Sequence, residues 1–185
     1  MHPKEPRIAP LPQPEWSEEQ RELLMLVTRG KPALNVFTTL VRHPKLFKRW
    51  VPFGGHLLYA SSLATRDREL LILRTAWLAQ AEYEWGQHVE IAKRAGLAAE
   101  EIERVAAGPD ATGWSAEEAA LLTAVDELYG DACLSEQTWH ALRQRYSETQ
   151  MMDLVFTVGA YAMLAMALNS FGVRLDAGLK GFAPG

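Results

Sequence analysis

The stretch "TRDRELLILRTAWLAQAEYEWGQHVEIAKRAG", residues 65–96, contains two apolar patterns of helical period separated by a short break. In its first half the apolar residues fall at helical spacing: Leu70, Leu73, Ala76 and Trp77. Thr65 is predicted to cap this helix. A second helix is predicted from about Glu82 to Gly96, because glycine commonly ends a helix. The stretch therefore predicts a helical hairpin.

The rest of the chain carries helix start and stop signals and predicts an all-α fold. Serine with Glu or Gln three residues later forms a capping box at three places: Ser17/Gln20, Ser115/Glu118 and Ser147/Gln150. Ser135 is a further N-cap candidate, Pro44 is placed to start a helix, and Pro52 is predicted to break one. No segment alternates apolar and polar residues over enough positions to require a strand.

The domain organisation follows from proline content and length. The first fifteen residues contain five prolines, so residues 1–16 are predicted to form an extended arm, either a disordered tail or a segment lying across a neighbouring subunit. Residues 17–185 are predicted to form one domain with its core at 35–172, since this length suits a single hydrophobic core.

Composition narrows the class of protein. The net charge of −4 gives no electrostatic reason to expect nucleic acid. The single cysteine, Cys133, excludes an intrachain disulfide and a cysteine-based metal cluster, and fits a cytoplasmic location. The N-terminus lacks the apolar core of a secretory signal. The apolar run 154–168 is shorter than the about 18 residues of a membrane span, so it predicts a core or interface helix.

The chemistry centres on Glu84 and His88, which are four residues apart and share one helix face. Glu69 lies on the preceding helix, so a hairpin brings it towards the same cleft. Histidine beside a carboxylate is suited to proton transfer, and an arginine nearby, Arg66 or Arg74, suits an anionic substrate. A strict antiparallel hairpin leaves Glu69 and His88 several ångströms out of register, so a bridging water or an oblique crossing is needed.

Two other interpretations of this pair stay open. The first is a structural or solvent-facing ion pair without chemistry. The second is a metal site, but only Glu69, Glu84 and His88 are available, fewer ligands than such a site usually has, so no metal is predicted. His56 follows Gly54-Gly55 in an apolar context and is predicted either to line a pocket or to lie satisfied in the core.

The segment Arg66–Val105, "RDRELLILRTAWLAQAEYEWGQHVEIAKRAGLAAEEIERV", resembles the core of the carboxymuconolactone decarboxylase family, which includes the alkylhydroperoxidase-D-like antioxidant proteins. The resemblance extends more loosely from about Asn35 to Gly172. It implies an alkylhydroperoxidase-D-like helical bundle, and its motif, R-x-R-E-L-x-I-L-R followed by E-Y-E-W-x-x-H, favours a catalytic role for Glu69 and His88.

The resemblance also bears on the chemistry. The peroxidase branch of the family has a C-x-x-C pair where this chain has Ala81 and Glu84. Peroxide reduction by that route needs one thiolate to attack and a second thiol to resolve the product. Cys133 is alone and elsewhere, so the two-cysteine mechanism is excluded and the resemblance is to the decarboxylase branch.

That branch implies cofactor-free proton transfer at carbon on a small carboxylated lactone or a related intermediate of aromatic catabolism. His88 would donate the proton, Glu69 would hold its tautomer directly or through water, and Glu84 would be a second acid–base group or orient His88. Other residues are implied to bind the substrate or shape its pocket: Arg66, Arg74, Tyr83, Trp85, Phe53, His56 and Leu57.

The family is typically oligomeric, which implies a homo-oligomer such as a trimer or hexamer, with the apolar helix 151–171 suited to an interface. The expected partners are thus the small-molecule substrate and further copies of the chain, whereas neither nucleic acid nor a membrane is expected. Two alternative functions remain: a non-catalytic oligomeric small-molecule-binding protein, and a peroxidase-related protein that works by a different mechanism.

Overall fold

A computed structural model describes residues 3–182, and this part of the chain is all-α, with no β-strand. This confirms the predicted fold class. The α-helices are α1 Glu18–Thr28, α2 Asn35–Leu40, α3 Pro44–Gly55, α4 Thr65–Leu78, α5 Glu82–Arg94, α6 Ala99–Ala107, α7 Ala116–Asp131, α8 Glu136–Arg143 and α9 Glu148–Phe171. A short 3₁₀ turn, Gln13–Glu15, precedes them, and a π-helical turn, His56–Ala60, follows α3 directly.

The caps explain where the helices begin. Both reciprocal hydrogen bonds of a capping box form at Ser17, Ser115 and Ser147, as the sequence predicts. The hydroxyl of Ser135 also accepts a backbone N–H at the start of α8. Thr65 differs from its prediction. It is the first residue of α4 and its side chain forms no cap hydrogen bond.

Helix α4 forms the centre of the bundle. Every residue from Asp67 to Ala76 is buried, and the helix packs against α5, α6, α7 and α9. Its leucines share one core with leucines of α7 and α9: Leu70, Leu71, Leu73, Leu121, Leu122 and Leu154. Each such side chain contributes roughly 1.5–3 kcal/mol on leaving water. Because α4 has no solvent-facing side, its charged residues must find partners inside the protein.

The predicted break at Pro52 is wrong. Helix α3 continues through Pro52 to Gly55, and the chain then forms the π-helical turn before leaving helical geometry at Ser61. Proline has a helical φ but no N–H, so the helix loses a hydrogen bond here without ending. The π-helical turn packs against α9.

The N-terminal arm packs on its own chain along residues 3–16. The N–H groups of Arg7 and Ile8 donate to the carbonyl of Phe171, at the end of α9. Leu11 is buried, and its N–H donates to the carbonyl of Thr38. The arm therefore satisfies backbone groups of its own subunit. The first two residues of the predicted arm lie outside the described part of the chain.

Helix α9 is longer than the predicted apolar run. It has 24 residues and a window of mean hydropathy 1.8, so it is long and apolar enough to cross a membrane by length and composition. One face packs in the core through Leu154, Val158 and Ala165. The opposite side exposes an apolar stripe: Met152, Phe156, Met163 and Met166. Core helices of globular proteins have the same length and composition.

Candidate active site

A buried chain of three side chains, Arg68, Glu69 and His88, joins α4 to α5. Glu69 is fully buried, and its Oε1 accepts from Nε and Nη2 of Arg68 at 3.1 and 2.9 Å. Its Oε2 lies 2.7 Å from Nδ1 of His88. A carboxylate paired with a guanidinium accepts hydrogen bonds only, so Nδ1 of His88 carries the proton. In the neutral ring, Nε2 is then unprotonated and is the atom that accepts or returns a proton.

The turn between α4 and α5 produces this contact. Gln80 adopts a left-handed conformation with φ of 51°, and the N–H of Ala81 donates to the carbonyl of Ala76. Helix α5 then packs along α4. The predicted register gap is closed without a bridging water, because the carboxylate and the imidazole are in direct contact. Glu69 and His88 are thus brought together as the sequence predicts.

Glu84 lies one turn before His88 on the same helix and is fully buried. Neither carboxyl oxygen has a hydrogen-bond partner among the described residues. Burial raises the pKa of Glu84 well above its ordinary value of 4.5, since an ionised carboxylate without a partner is strongly disfavoured away from water. Burial therefore favours the neutral carboxylic acid form of Glu84, which can donate a hydrogen bond or a proton.

Tyr161 of α9 completes the surroundings of His88, and the sequence interpretation missed it. The two rings meet edge to face, with centroids 5.0 Å apart and planes at 89°. Burial, followed by the nearby carboxyl groups of Glu84 and Glu69, raises the pKa of Tyr161 well above the usual tyrosine value. Its phenol therefore stays protonated. The available signal was a tyrosine on the buried face of an otherwise apolar helix.

Asp153, near the start of α9, holds the π-helical turn in place. Its Oδ2 accepts from the N–H and the hydroxyl of Ser62, both at 2.6 Å, and from the hydroxyl of Ser61 at 3.3 Å. Its Oδ1 lies 3.3 Å from Nε2 of His56. Burial opposes ionisation, but these hydrogen bonds, those from Ser62 foremost, hold the pKa of Asp153 below its usual value. His56, half-exposed, is thus part of a tether between the turn and α9.

The two arginines predicted to bind substrate are placed elsewhere. The guanidinium of Arg66 pairs with Glu101 and Glu118, and these hydrogen bonds keep its pKa above the ordinary arginine value. The guanidinium of Arg74 binds both carboxylate oxygens of Asp126, at 2.7 and 2.9 Å, and two backbone carbonyls of α6. Both groups tie α4 to its neighbouring helices. These contacts correct the prediction that they hold a substrate carboxylate.

Tyr83 and Trp85 also have structural surroundings. The hydroxyl of Tyr83 donates to Asp176 at 2.6 Å and accepts from the N–H of Val36 at 3.1 Å, which fixes the C-terminal segment. Trp85 packs in the core against Trp77 and Phe182. Both side chains therefore help to hold the fold together. A role for these two aromatic residues in shaping a substrate pocket stays a prediction.

The remaining predicted pocket residues belong to the region before α4. Leu57 is buried beneath the π-helical turn. Phe53 is partly exposed and stacks edge to face on Phe156 of α9, with ring centroids 6.3 Å apart. Tyr59, from the same turn, is largely exposed and lies near enough to Tyr161 to influence its ionisation. A role for Phe53 and Leu57 in substrate binding stays a prediction.

The two cavities described below lie away from His88, and no metal-binding cluster surrounds it among residues 3–182. Within residues 3–182 there is no group of three His, Cys, Asp or Glu side chains placed to hold a metal ion. A cavity of about 230 Å³ lies between the start of α5 and the end of α9, lined by Gln80, Tyr83 and Arg174 among others. A second, of about 310 Å³, lies between α7 and α8. His88 lines neither.

The helical bundle, together with solved structures that share it, defines an alkylhydroperoxidase-D-like fold. Residues 44–127, which carry Glu69, Glu84 and His88, match the carboxymuconolactone decarboxylase family. Through this segment, which is less than half of the chain, the protein is similar to that family.

Three solved structures have the same architecture at low sequence identity. An uncharacterized peroxidase-related protein from Ralstonia eutropha JMP134, an alkylhydroperoxidase AhpD core, is 20% identical with a TM-score of 0.78, over 96% of this chain and 95% of that one. A peroxidase-related protein from Silicibacter sp. TM1040 is 14% identical with a TM-score of 0.80, over the same shares. The debrominase Bmp8, as a cysteine-to-alanine variant in complex with 2,3,4-tribromopyrrole, is 14% identical with a TM-score of 0.75, over 92% and 91%. At this identity the likeness concerns the fold. No curated protein sequence matches the chain.

Proposed function

We propose that the protein is a cofactor-free enzyme of the decarboxylase branch of its family, a lyase or isomerase that transfers a proton at carbon. The observation that carries this proposal is the direct 2.7 Å contact between Nδ1 of His88 and Oε2 of Glu69, inside the bundle. The contact fixes the tautomer and orientation of the imidazole and directs Nε2 to the reacting carbon.

The reaction has two forms that use the same atoms. In decarboxylation, the bond between a substrate carbon and its carboxylate group breaks, and the carboxylate leaves as carbon dioxide. The electron pair of that bond stays on the substrate, which becomes an enolate. The protonated His88 then gives its Nε2 proton to the enolate carbon. In isomerisation, neutral His88 removes a proton from the carbon between a carbonyl and a carbon–carbon double bond. It returns the proton to the far end of the resulting dienolate, so that the double bond shifts and the carbonyl re-forms.

A two-cysteine peroxidase mechanism has no chemical basis in this chain. The sequence has Ala81 and Glu84 at the positions of the C-x-x-C pair, and its one cysteine, Cys133, is exposed. A peroxide needs a thiolate to attack oxygen and a second thiol to release the enzyme from the sulfenic acid. The similarity of this chain to peroxidase-related proteins is therefore a similarity of fold.

The substrate class that fits best is a small carbonyl compound with an acidic carbon, and carboxylated lactones of aromatic catabolism are the first to test. Arg66 and Arg74 are held in ion pairs, and Arg68 holds Glu69. A substrate carboxylate would therefore find none of these three guanidinium groups free. This favours a site that recognises the carbonyl end of the substrate.

Self-association is part of the proposal. The stripe Met152, Phe156, Met163 and Met166 exposes large apolar side chains along α9. Contiguous apolar surface on a globular protein commonly marks an interaction site. A second copy of the chain is the proposed occupant, in a trimer or hexamer, and the assembly is proposed to be cytoplasmic, without nucleic acid or membrane as partner.

The experiment compares the purified protein with His88→Ala and with His140→Ala, which changes an exposed histidine on α8. Each is mixed with carboxylated lactones and β-keto acids while carbon dioxide release, ultraviolet absorption and deuterium exchange at carbon are followed. Product from the protein and from His140→Ala, but not from His88→Ala, supports the proposal. Ligand binding without any product or exchange would favour the non-catalytic binding protein, the second candidate.

A further inference from the structure

We propose that Glu84 and Tyr161 form a pair of neutral O–H donors that holds the oxygen of an enolate while His88 moves the proton at the neighbouring carbon. This inference rests on the proposed function, since it names the group that stabilises the charge which the proton transfer creates. It assigns a role to two buried groups that the Glu69–His88 pair leaves unused.

The first observation is the isolation of the Glu84 carboxyl group. It is fully buried on the face of α5 that carries His88, one helical turn away, and both of its oxygens lack a partner among residues 3–182. Buried polar atoms in native proteins are nearly always hydrogen-bonded, so an unpartnered carboxyl group needs an explanation. A substrate oxygen that is present only during the reaction supplies the missing partner.

The second observation is the position of Tyr161, which approaches the same place from α9. Its ring and that of His88 meet at right angles, with 5.0 Å between centroids. Glu84, Glu69 and Arg68 lie close enough to Tyr161 to affect the pKa of its hydroxyl. Helices α5 and α9 thus each supply one acidic O–H group beside the imidazole.

The charges around the pair determine what it binds. The groups close enough to Tyr161 to affect its pKa are Glu84 from α5, Glu69 and Arg68 from α4, and Tyr59 from the π-helical turn. The one cation in this set, Arg68, donates to Glu69. A ligand that arrives as an anion therefore finds no free cation in this set, whereas a neutral carbonyl enters without that penalty. Its oxygen becomes negative only as the reaction proceeds, when neutral donors gain strength.

The proton transfer between the substrate carbon and His88 needs no cofactor. Nε2 of His88 takes the proton from the carbon beside the carbonyl, and the C–H electron pair becomes the carbon–carbon double bond of the enolate. The carbonyl oxygen takes up the negative charge and accepts from the O–H groups of Glu84 and Tyr161. When a carbon–carbon double bond lies next to the deprotonated carbon, the anion is a dienolate. Nε2 then returns the proton to the far end of the dienolate, the double bond moves into conjugation, and the carbonyl re-forms. The substrate class is thereby a neutral unsaturated ketone or lactone with an acidic C–H between its carbonyl and its double bond.

The test uses 4-nitrophenol, whose phenolate imitates an enolate and absorbs differently from the neutral phenol. Binding and the fraction of bound phenolate are followed against pH in the full-length protein, Tyr161→Phe, Glu84→Leu and Glu84→Gln. Tyr146→Phe is the control, because Tyr146 is a buried tyrosine that donates to Asp67. The intact site is expected to bind phenolate more tightly than phenol, and loss of either donor is expected to weaken phenolate binding about tenfold or more, as at other oxyanion sites.

The outcomes separate this inference from the proposed function. Unchanged phenolate binding in folded Tyr161→Phe and in either folded Glu84 variant would overturn the oxyanion role, even if His88 proves essential for turnover. Phenolate binding that depends on both residues, with no turnover of any substrate, would support the donor pair and contradict the proposed reaction. Infrared spectra add a direct readout. The carbonyl band of a protonated carboxylic acid should be present in the protein and disappear in Glu84→Gln.

Discussion

Oε2 of Glu69 and Nδ1 of His88 lie 2.7 Å apart, although the two residues are nineteen positions apart in the sequence and belong to different helices, α4 and α5. Glu69 is fully buried, so solvent does not compete for its carboxylate, whose other oxygen accepts from Arg68. The imidazole is therefore held through Nδ1 by a buried carboxylate, and Nε2 is the nitrogen left for other contacts. In the proposed function, this geometry makes His88 the proton-transfer group and Glu69 a positioning residue.

Replacing Glu69 with Gln is expected to lower activity and stability together. The guanidinium of Arg68 would remain buried without its anion, and breaking one side of a buried pair costs about 3–5 kcal/mol. The double variant Arg68→Met/Glu69→Gln removes both charges and is expected to recover most of that stability in urea unfolding. Its kcat should stay low, because the glutamine no longer stabilises the imidazolium.

The double variant also provides the control. If stability and kcat recovered together, Glu69 would act only through the fold, and its role in orienting His88 would be contradicted. A shift in the pH profile of kcat/KM in the double variant, at restored stability, is the result expected of a residue that sets the proton affinity of the imidazole.

The sequence was informative where a local pattern decides the structure. Capping boxes such as Ser147/Gln150 form as predicted, since they depend only on residues three positions apart. The spacing of Glu69 and His88 leaves them out of register in a strict hairpin, and it is the family resemblance that favours this pair. Tyr161 was not, because its place beside His88 depends on how α9 crosses α5, which no local pattern encodes.

The prediction that Arg66 and Arg74 bind substrate was wrong for a related reason. Arg66 and Arg74 lie close to Glu69 in the sequence, but a helix turns by about 100° per residue, so residues close in sequence point to different sides. Helix α4 is surrounded by other helices, and acidic residues of α6 and α7 pair with these two guanidinium groups. Their partners lie far away along the chain, and single-sequence reasoning had no means of pairing them.

Arg74→Met is expected to destabilise the fold without changing catalysis. The substitution removes the bidentate contact to Asp126 and two hydrogen bonds to carbonyls of α6, so we expect a loss of about 2 kcal/mol in the free energy of unfolding. Measured below its melting temperature, kcat/KM should remain that of the unmodified protein. A raised KM at unchanged stability would instead return Arg74 to the substrate site.

Glu84→Gln tests the neutral state of Glu84 through the pH dependence of stability. The folded pKa lies above the unfolded value, so the stability contribution is complete below about pH 4.5 and is lost as the pH rises towards the folded pKa. Glutamine does not titrate. The variant should therefore gain stability relative to the unmodified protein between about pH 5 and pH 8. A difference that does not change with pH would mean that Glu84 ionises normally.

Met163→Glu is expected to shift the protein towards the monomer. Met163 is half-exposed in the middle of the apolar stripe of α9, and a carboxylate there would be buried without a partner in an assembled interface. Gln137→Glu adds the same charge on an exposed position of α8 and serves as the control. Sedimentation should show a smaller mass for Met163→Glu alone. Equal masses for all three proteins would place any interface elsewhere.

Asp153→Asn tests whether Asp153 holds the π-helical turn in place and whether that turn contributes to substrate binding. Asp153 accepts three hydrogen bonds from Ser61 and Ser62 and one contact from His56, and the neutral amide preserves the size of the side chain but not its acceptor strength. We expect a loss of about 1–3 kcal/mol in unfolding free energy, and faster amide hydrogen exchange confined to the turn. Because Tyr59 of that turn lies near Tyr161, KM should rise more than kcat falls. Ser62→Ala removes one donor and should produce the same pattern in weaker form, whereas exchange that is faster throughout α9 would show that Asp153 stabilises the helix and not the turn.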